Sequence, residues 1–175
     1  AGTRPLVRAQ GLIEFRHVDA RYEGSAAPAL RDVSFVARPG TVTAVVGRSG
    51  SGKSTLARLI PRFYEPAAGQ ILLDGHPLTD YPLADLRRQI AMVGQHVLLF
   101  DGSVAQNVAY GELEGCDEAR IAAAVQDANA AEFVAGLPGG LHGHIGAKGG
   151  KLSGGQRQRL AIARALLKDA PILIL

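Results

Sequence analysis

The sequence predicts an α/β fold in which an antiparallel β lead-in precedes a strand–loop–helix core, and a helical subdomain is inserted into that core. Three observations predict it. Two β-prone runs, LIEFRHVDARY (Leu12 to Tyr22) and ALRDVSFVA (Ala29 to Ala37), flank a stretch containing Gly24, Ser25 and Pro28. TVTAVV, Thr41 to Val46, is a β-branched run between the Pro39-Gly40 turn and a glycine-rich loop, the pattern of a buried central strand. From Leu83 to about Ala135 the apolar spacing becomes that of helices.

The remaining elements follow in chain order. STLARLIPRFY repeats Leu56, Leu59, Ile60 and Phe63 at helical spacing, with Pro61 placed to bend or end the helix. Gln70 to Leu73 is a short strand, and Asp74-Gly75 after it is the pair expected of a hairpin turn. The helical stretch comprises LADLRRQ, SVAQNVAY and DEARIAAAVQDANAAEFVAGL, in which Ile121, Val125 and Ala128 share a face and Asp117 caps the start. A glycine-rich loop, 136–150, precedes a helix in GQRQRLAIARALLKD, and PILIL begins a strand. Residues 1–11 read as a linker, residues 12–175 as one domain, and about 83–160 as its helical subdomain.

Composition narrows the function classes. A chain of 175 residues with 47% hydrophobic side chains can bury a core, so disorder throughout is excluded. The balance of 19 basic to 16 acidic residues gives only +3, too weak to argue for nucleic acid. The lone Cys116 can form no internal disulfide and reads as a structural thiol. No window approaches ~18 consecutive apolar residues, and the amino end lacks the pattern of a secretion signal. Glycine, at 22 residues against about 12 for average usage, signals tight turns or close backbone approaches.

GRSGSGKST, Gly47 to Thr55, satisfies G-x-x-x-x-G-K-S/T between the expected strand and the expected helix. Gly47, Gly50 and Gly52, with Arg48, Ser49 and Ser51 between them, let successive N–H groups turn inward around a phosphate, and the helix start adds the positive end of a dipole. Lys53 would reach the β- and γ-phosphates, Ser54 would offer a hydroxyl to Mg²⁺, and Thr55 would donate near the α-phosphate. That is a site for a nucleoside triphosphate. A P-loop alone leaves kinases, GTPases, helicases and transport ATPases open, and no Asn-Lys-x-Asp guanine-reading motif occurs.

LSGGQRQRLAIARALL, Leu152 to Leu167, is a second phosphate-ready helix start, with Ser153, Gly154, Gly155 and Gln156 leading into the helix. Two such starts in one domain cannot grip one triphosphate from one side, which predicts that the second serves a nucleotide held by a neighbour. The plainer alternative is an N-capped helix with Ser153 as cap and its arginines in solvent.

On these two motifs the sequence resembles the nucleotide-binding domain of ABC transporters, GRSGSGKST standing as Walker A and LSGGQ as the signature, from about Leu12 to Leu175. The resemblance implies a RecA-like P-loop core and ATP as the ligand. Gln95, in MVGQHVLLFDGSV, matches the family's Q-loop, whose glutamine contacts Mg²⁺ and the attacking water and senses the membrane domain. Lys53 and Gln95 are therefore the implied catalytic residues, and Ser54 and Gln95 the implied metal contacts. Tyr22 falls where the family places an aromatic that stacks on adenine, a contact of π-faces with little base selectivity, although Ala20 replaces the usual aromatic two residues earlier.

Within the family, GRSGSGKST, RFYEPAAGQILLDGHPL and LLFDGSVAQNVAYG are most similar to bacterial exporters of the lipid A flippase type; multidrug and peptide exporters are similar too. This implies ATP hydrolysis coupled to export of a lipid or amphipathic substrate at the cytoplasmic face of the bacterial inner membrane. The implied partners are a second copy, head to tail, and a transmembrane domain of the same parent chain. Each ATP would be enclosed by Gly47 to Thr55 of one copy and Ser153 to Gln156 of the other. Ala147, in HIGAKGGKLSGGQ, stands where exporters generally carry a coupling glutamate. PILIL resembles the Walker B strand ahead of its acidic residues, so this stretch alone is expected not to hydrolyse ATP.

Two further patterns are read conservatively. His142 and His144 form HGH, expected as solvated loop histidines without a carboxylate partner rather than metal ligands. Arg157, Arg159 and Arg164 lack interleaved aromatics, which predicts a solvated or partner-facing helix and no nucleic-acid partner. A soluble ABC protein acting on nucleic acid or ribosomes is the alternative from another class.

Overall fold

Alternating apolar residues build the first layer. The computed structural model describes residues 2–175, apart from the side chain of Lys148. It divides into two compact units, one running to Ile90 and the other Ala91–Leu175. In the first, β1 (Ile13–Ala20), β2 (Leu30–Ala37), α1 (Lys53–Leu59), β3 (Ala68–Leu73), β4 (His76–Pro77) and α2 (Leu83–Arg88) follow in order. The strands form one antiparallel sheet in the order β2-β1-β3-β4. The expected antiparallel lead-in is present, and the expected Gln70 to Leu73 strand joins it.

β1 buries Ile13, Phe15, Val18 and Ala20. Strict alternation would put residue 17 inside, but a register shift between Phe15 and Val18, with His17 at φ 50, returns Val18 to the core face. At this bulge the neighbouring backbone comes so close that a Cβ on Gly69, at φ 77, would collide with the His17 carbonyl. Only glycine fits there. The β3–β4 turn has both Asp74 (φ 52) and Gly75 (φ 81) left-handed, as a two-residue hairpin requires.

Ala1 lies outside the described residues. The rest of the expected linker runs without regular structure but is fastened to the first unit. Buried Gln89 accepts from Ala9 N at 2.8 Å and donates to Val7 O at 3.1 Å. The Asp74 carboxylate accepts from the backbone N–H groups of Gln10, Gly11 and Leu12 at 2.7, 3.0 and 2.9 Å.

The second unit is mainly helical. It contains β5 (Ile90–Met92, beginning at the boundary residue), α3 (Val104–Val108), α4 (Glu118–Asp127), α5 (Ala131–Ala135), α6 (Gly154–Lys168) and β6 (Ile172–Ile174), with β5 paired to β6. Its core joins Val104 and Val108 of α3, Ile121 and Val125 of α4, and Leu160, Ala163 and Leu167 of α6. Asp117 caps α4 by accepting from Ala119 N at 3.2 Å, and the face of Ile121, Val125 and Ala128 is buried as its spacing predicts. No helix among the described residues is long and apolar enough to cross a membrane.

One expectation fails. Thr41 to Val46 is neither a strand nor buried: Val42 is 98% and Val46 87% exposed. A central strand is stabilised by ladders on both edges and by cover on both faces. Among the described residues this run belongs to neither sheet, so its β-branched side chains lack the ladder neighbours and two-sided cover of a central strand.

Candidate functional site

The glycine loop is shaped by two left-handed residues, Gly50 at φ 78 and Gly52 at φ 94. Gly52 also lies hard against the start of β2, where an added Cβ would be 2.5 Å from Ala29 O and 2.7 Å from a Leu30 methyl. Within the loop, Ser51 N donates to Arg48 O at 3.2 Å. Lys53, the first residue of α1, folds back so that Nζ donates to Gly47 O at 2.7 Å and Arg48 O at 2.8 Å. An ammonium has three N–H donors, and these two bonds use two of them. Ser49, Ser51 and Ser54 are exposed beside it.

The structure brings Tyr22 to this loop's helix. Its hydroxyl lies 2.8 Å from Oγ1 of Thr55, which is 7% exposed. The Thr55 hydroxyl, expected as a phosphate donor, is thus already engaged with the tyrosine. The rings of Tyr64 and Tyr22 form a T-shaped pair, with centroids 5.2 Å apart and planes at 89°. The one signal for Tyr64 in the sequence is an aromatic just beyond Pro61, which follows α1.

In the second unit, Gln95 lies exposed in a bend just after β5. The signature forms the start of α6 as a reciprocal capping box: Ser153 Oγ accepts from Gln156 N at 3.2 Å, and Gln156 Oε1 accepts from Ser153 N at 2.9 Å. Gly154 and Gly155 are exposed, and a Cβ on Gly155 would meet open space.

Two readings of individual side chains are corrected. Arg164 does not face solvent: it donates to Asn107 O at 2.8 Å and to Leu98 O at 3.2 Å, and its guanidinium sits 5.7 and 5.9 Å from the rings of Phe100 and Tyr110. Burial lowers its pKa, with the nearby Tyr110 opposing the shift. Asn107, 1% exposed and missed in the sequence, ties the same segment by accepting from Phe100 N and donating to Phe100 O. The loop histidines do find carboxylates, His142 with Glu118 at 3.1 Å and His144 with Asp101 at 3.7 Å. Tertiary folding supplied partners that no local spacing revealed. Neither pair belongs to a group of three His, Cys, Asp or Glu side chains placed to hold a metal among the described residues.

The profile of the family described as ABC transporter matches residues 30–175. The ATP-dependent lipid A-core flippase of Xanthomonas campestris pv. campestris is 73% identical over 99% of this chain and 30% of its own length. That of Xylella fastidiosa is 71% identical over the same shares. A solved structure of a bacterial Atm1-family ABC exporter with ATP bound superposes with a TM-score of 0.89 at 40% identity, over 99% of this chain and 30% of that one. The chain thus spans about a third of the length of the relatives it matches. With a P-loop turned by Gly50 and Gly52, a capped LSGGQ helix start and a family match over most of its length, the chain belongs to the ABC transporter family.

Proposed function

We propose that this chain is the ATP-binding and ATPase domain of an exporter that moves a lipid A-like lipid across the bacterial inner membrane. The loop geometry is the observation that carries the nucleotide part: Lys53 is held over Gly47 and Arg48 with a donor to spare, beside the exposed hydroxyl of Ser54. The lipid rests on similarity to the lipid A-core flippases. In this reading the domain is a RecA-like P-loop core running from residue 12, with a helical insertion over about 83–160, and it works at the cytoplasmic face.

The backbone N–H groups from Gly47 to Gly52 cradle the phosphates, and Lys53 holds the β- and γ-phosphates. Tyr22 stacks on adenine. Ser54 of the first unit and Gln95 of the second are the residues that would hold Mg²⁺, which would offset phosphate charge when bound. Gln95 also orients the attacking water. Ser153, Gly154, Gly155 and Gln156 close over the nucleotide of a second, head-to-tail copy, so loss of the shared γ-phosphate loosens the pair and moves an attached transmembrane domain.

The test is ATP turnover by the full-length protein in proteoliposomes, with and without lipid A-type lipid. Stimulation by that lipid beyond bulk phospholipid, absent in Lys53→Ala, is the expected result. Indifference to it together with stimulation by peptides or drug-like amphiphiles would reassign the substrate.

A further inference from the structure

We infer that Tyr64 is a positioning residue for nucleotide binding: it sets the tilt of the Tyr22 ring so that its face can receive the base. This rests on the reading of Tyr22 as the adenine-stacking side chain. Tyr22 is held at its hydroxyl by buried Thr55, 2.8 Å away. That oxygen lies on the axis running from Cβ through the para position, and rotation about this axis leaves it in place. A hydrogen bond there fixes where the ring ends but not which way its face points. An off-axis contact is needed to set the tilt, and Tyr64 supplies one, perpendicular to Tyr22 at 5.2 Å between centroids.

Tyr64 can serve because the turn that carries it is fastened on both sides. Beyond α1, Arg62 takes a left-handed φ of 55 and its N donates to Leu59 O, while Phe63 N reaches back to Arg58 O. From α2, Arg87 donates to Pro61 O at 3.1 Å and Arg62 O at 3.2 Å, and its guanidinium lies 5.1 Å from the Phe63 ring centroid. On the far side, Arg62 grips Glu65 Oε1 through Nη2 at 2.6 Å and Nε at 2.9 Å. The residues flanking Tyr64 are thus anchored, although Tyr64 itself is 44% exposed. Its ring lies outside the buried core and meets Tyr22 in the T-shaped pair.

The experiment compares Tyr64→Leu, Tyr64→Phe, Tyr22→Ala and the double variant Tyr22→Ala with Tyr64→Leu in the full-length protein, titrated with MgATP and separately with inorganic tripolyphosphate. Tyr64→Leu should weaken MgATP binding about three- to tenfold, the scale of one aromatic pair, and leave tripolyphosphate binding unchanged. Tyr64→Phe, which keeps the ring, should restore MgATP binding. The double variant should bind no worse than Tyr22→Ala alone, because Tyr64 acts through Tyr22. Equal weakening of both ligands by Tyr64→Leu would mean a merely structural role and overturn the inference, as would additive losses, which would put Tyr64 directly on the nucleotide. If Tyr22→Ala weakens MgATP and Tyr64→Leu does not, positioning by Tyr64 fails while the stacking role of Tyr22 stands. If neither variant weakens it, the reading of Tyr22 fails as well.

Discussion

The P-loop and the signature are both glycine-rich helix starts, yet they finish their helices differently. α1 begins at Gly52 with no side-chain cap, and the nearest cation, Lys53, grips the loop's own carbonyls. α6 begins at Ser153 with a complete capping box, its N3 amide already satisfied. An uncapped start leaves first-turn N–H groups for a ligand, whereas a self-capped one is stable without any. The contrast accords with the proposed roles, in which the P-loop holds the chain's own nucleotide and the signature closes over one bound by a second copy.

The sharpest way to break this comparison is Lys53→Ala in the full-length protein. ATP turnover should fall at least about a hundredfold, the scale for removing a preorganised charge from a transferring phosphoryl group. Turnover near wild type would refute the assigned loop. Ser153→Arg should act on the other motif alone, with ATP binding by the monomer kept and ATP-dependent dimerisation lost, as read by titration and by mass. The reverse pattern would place the signature in its own chain's site.

Glycine substitutions sharpen the same contrast through stability. Gly52→Ala, with φ 94 and Ala29 O only 2.5 Å from the new Cβ, should cost more than about 2 kcal/mol in urea unfolding. Arg164→Met should cost about 2–3 kcal/mol, because it strips donors from the Leu98 and Asn107 carbonyls. Gly155→Ala, a helical position facing open space, should change stability by under about 1 kcal/mol in either direction.

Several features were legible because their cause is local. The lead-in strands follow from two β-prone runs flanking Gly24, Ser25 and Pro28, the β3–β4 hairpin from Asp74-Gly75, and the start of α4 from Asp117. Thr41 to Val46 was misread because a β-branched run states only that a segment can be a strand; whether a ladder partner is present is not written in the run itself. Arg164 was misread for a related reason. Its acceptors, Leu98 and Asn107, lie 66 and 57 residues away, beyond the reach of any helical spacing rule.

By itself the sequence determined the motifs, the turns that need glycine, the caps and the apolar faces, since each depends on the covalent geometry and chemistry of a few adjacent residues. Long-range folding settles which distant groups meet: Tyr22 with Thr55 and Tyr64, Arg87 with the turn after α1, Gln89 with Val7 and Ala9, and Arg164 beside the stacked rings of Phe100 and Tyr110. The physical reason is that local preference limits what each segment can adopt, while long-range pairing depends on burying apolar surface and satisfying polar groups across the whole unit at once.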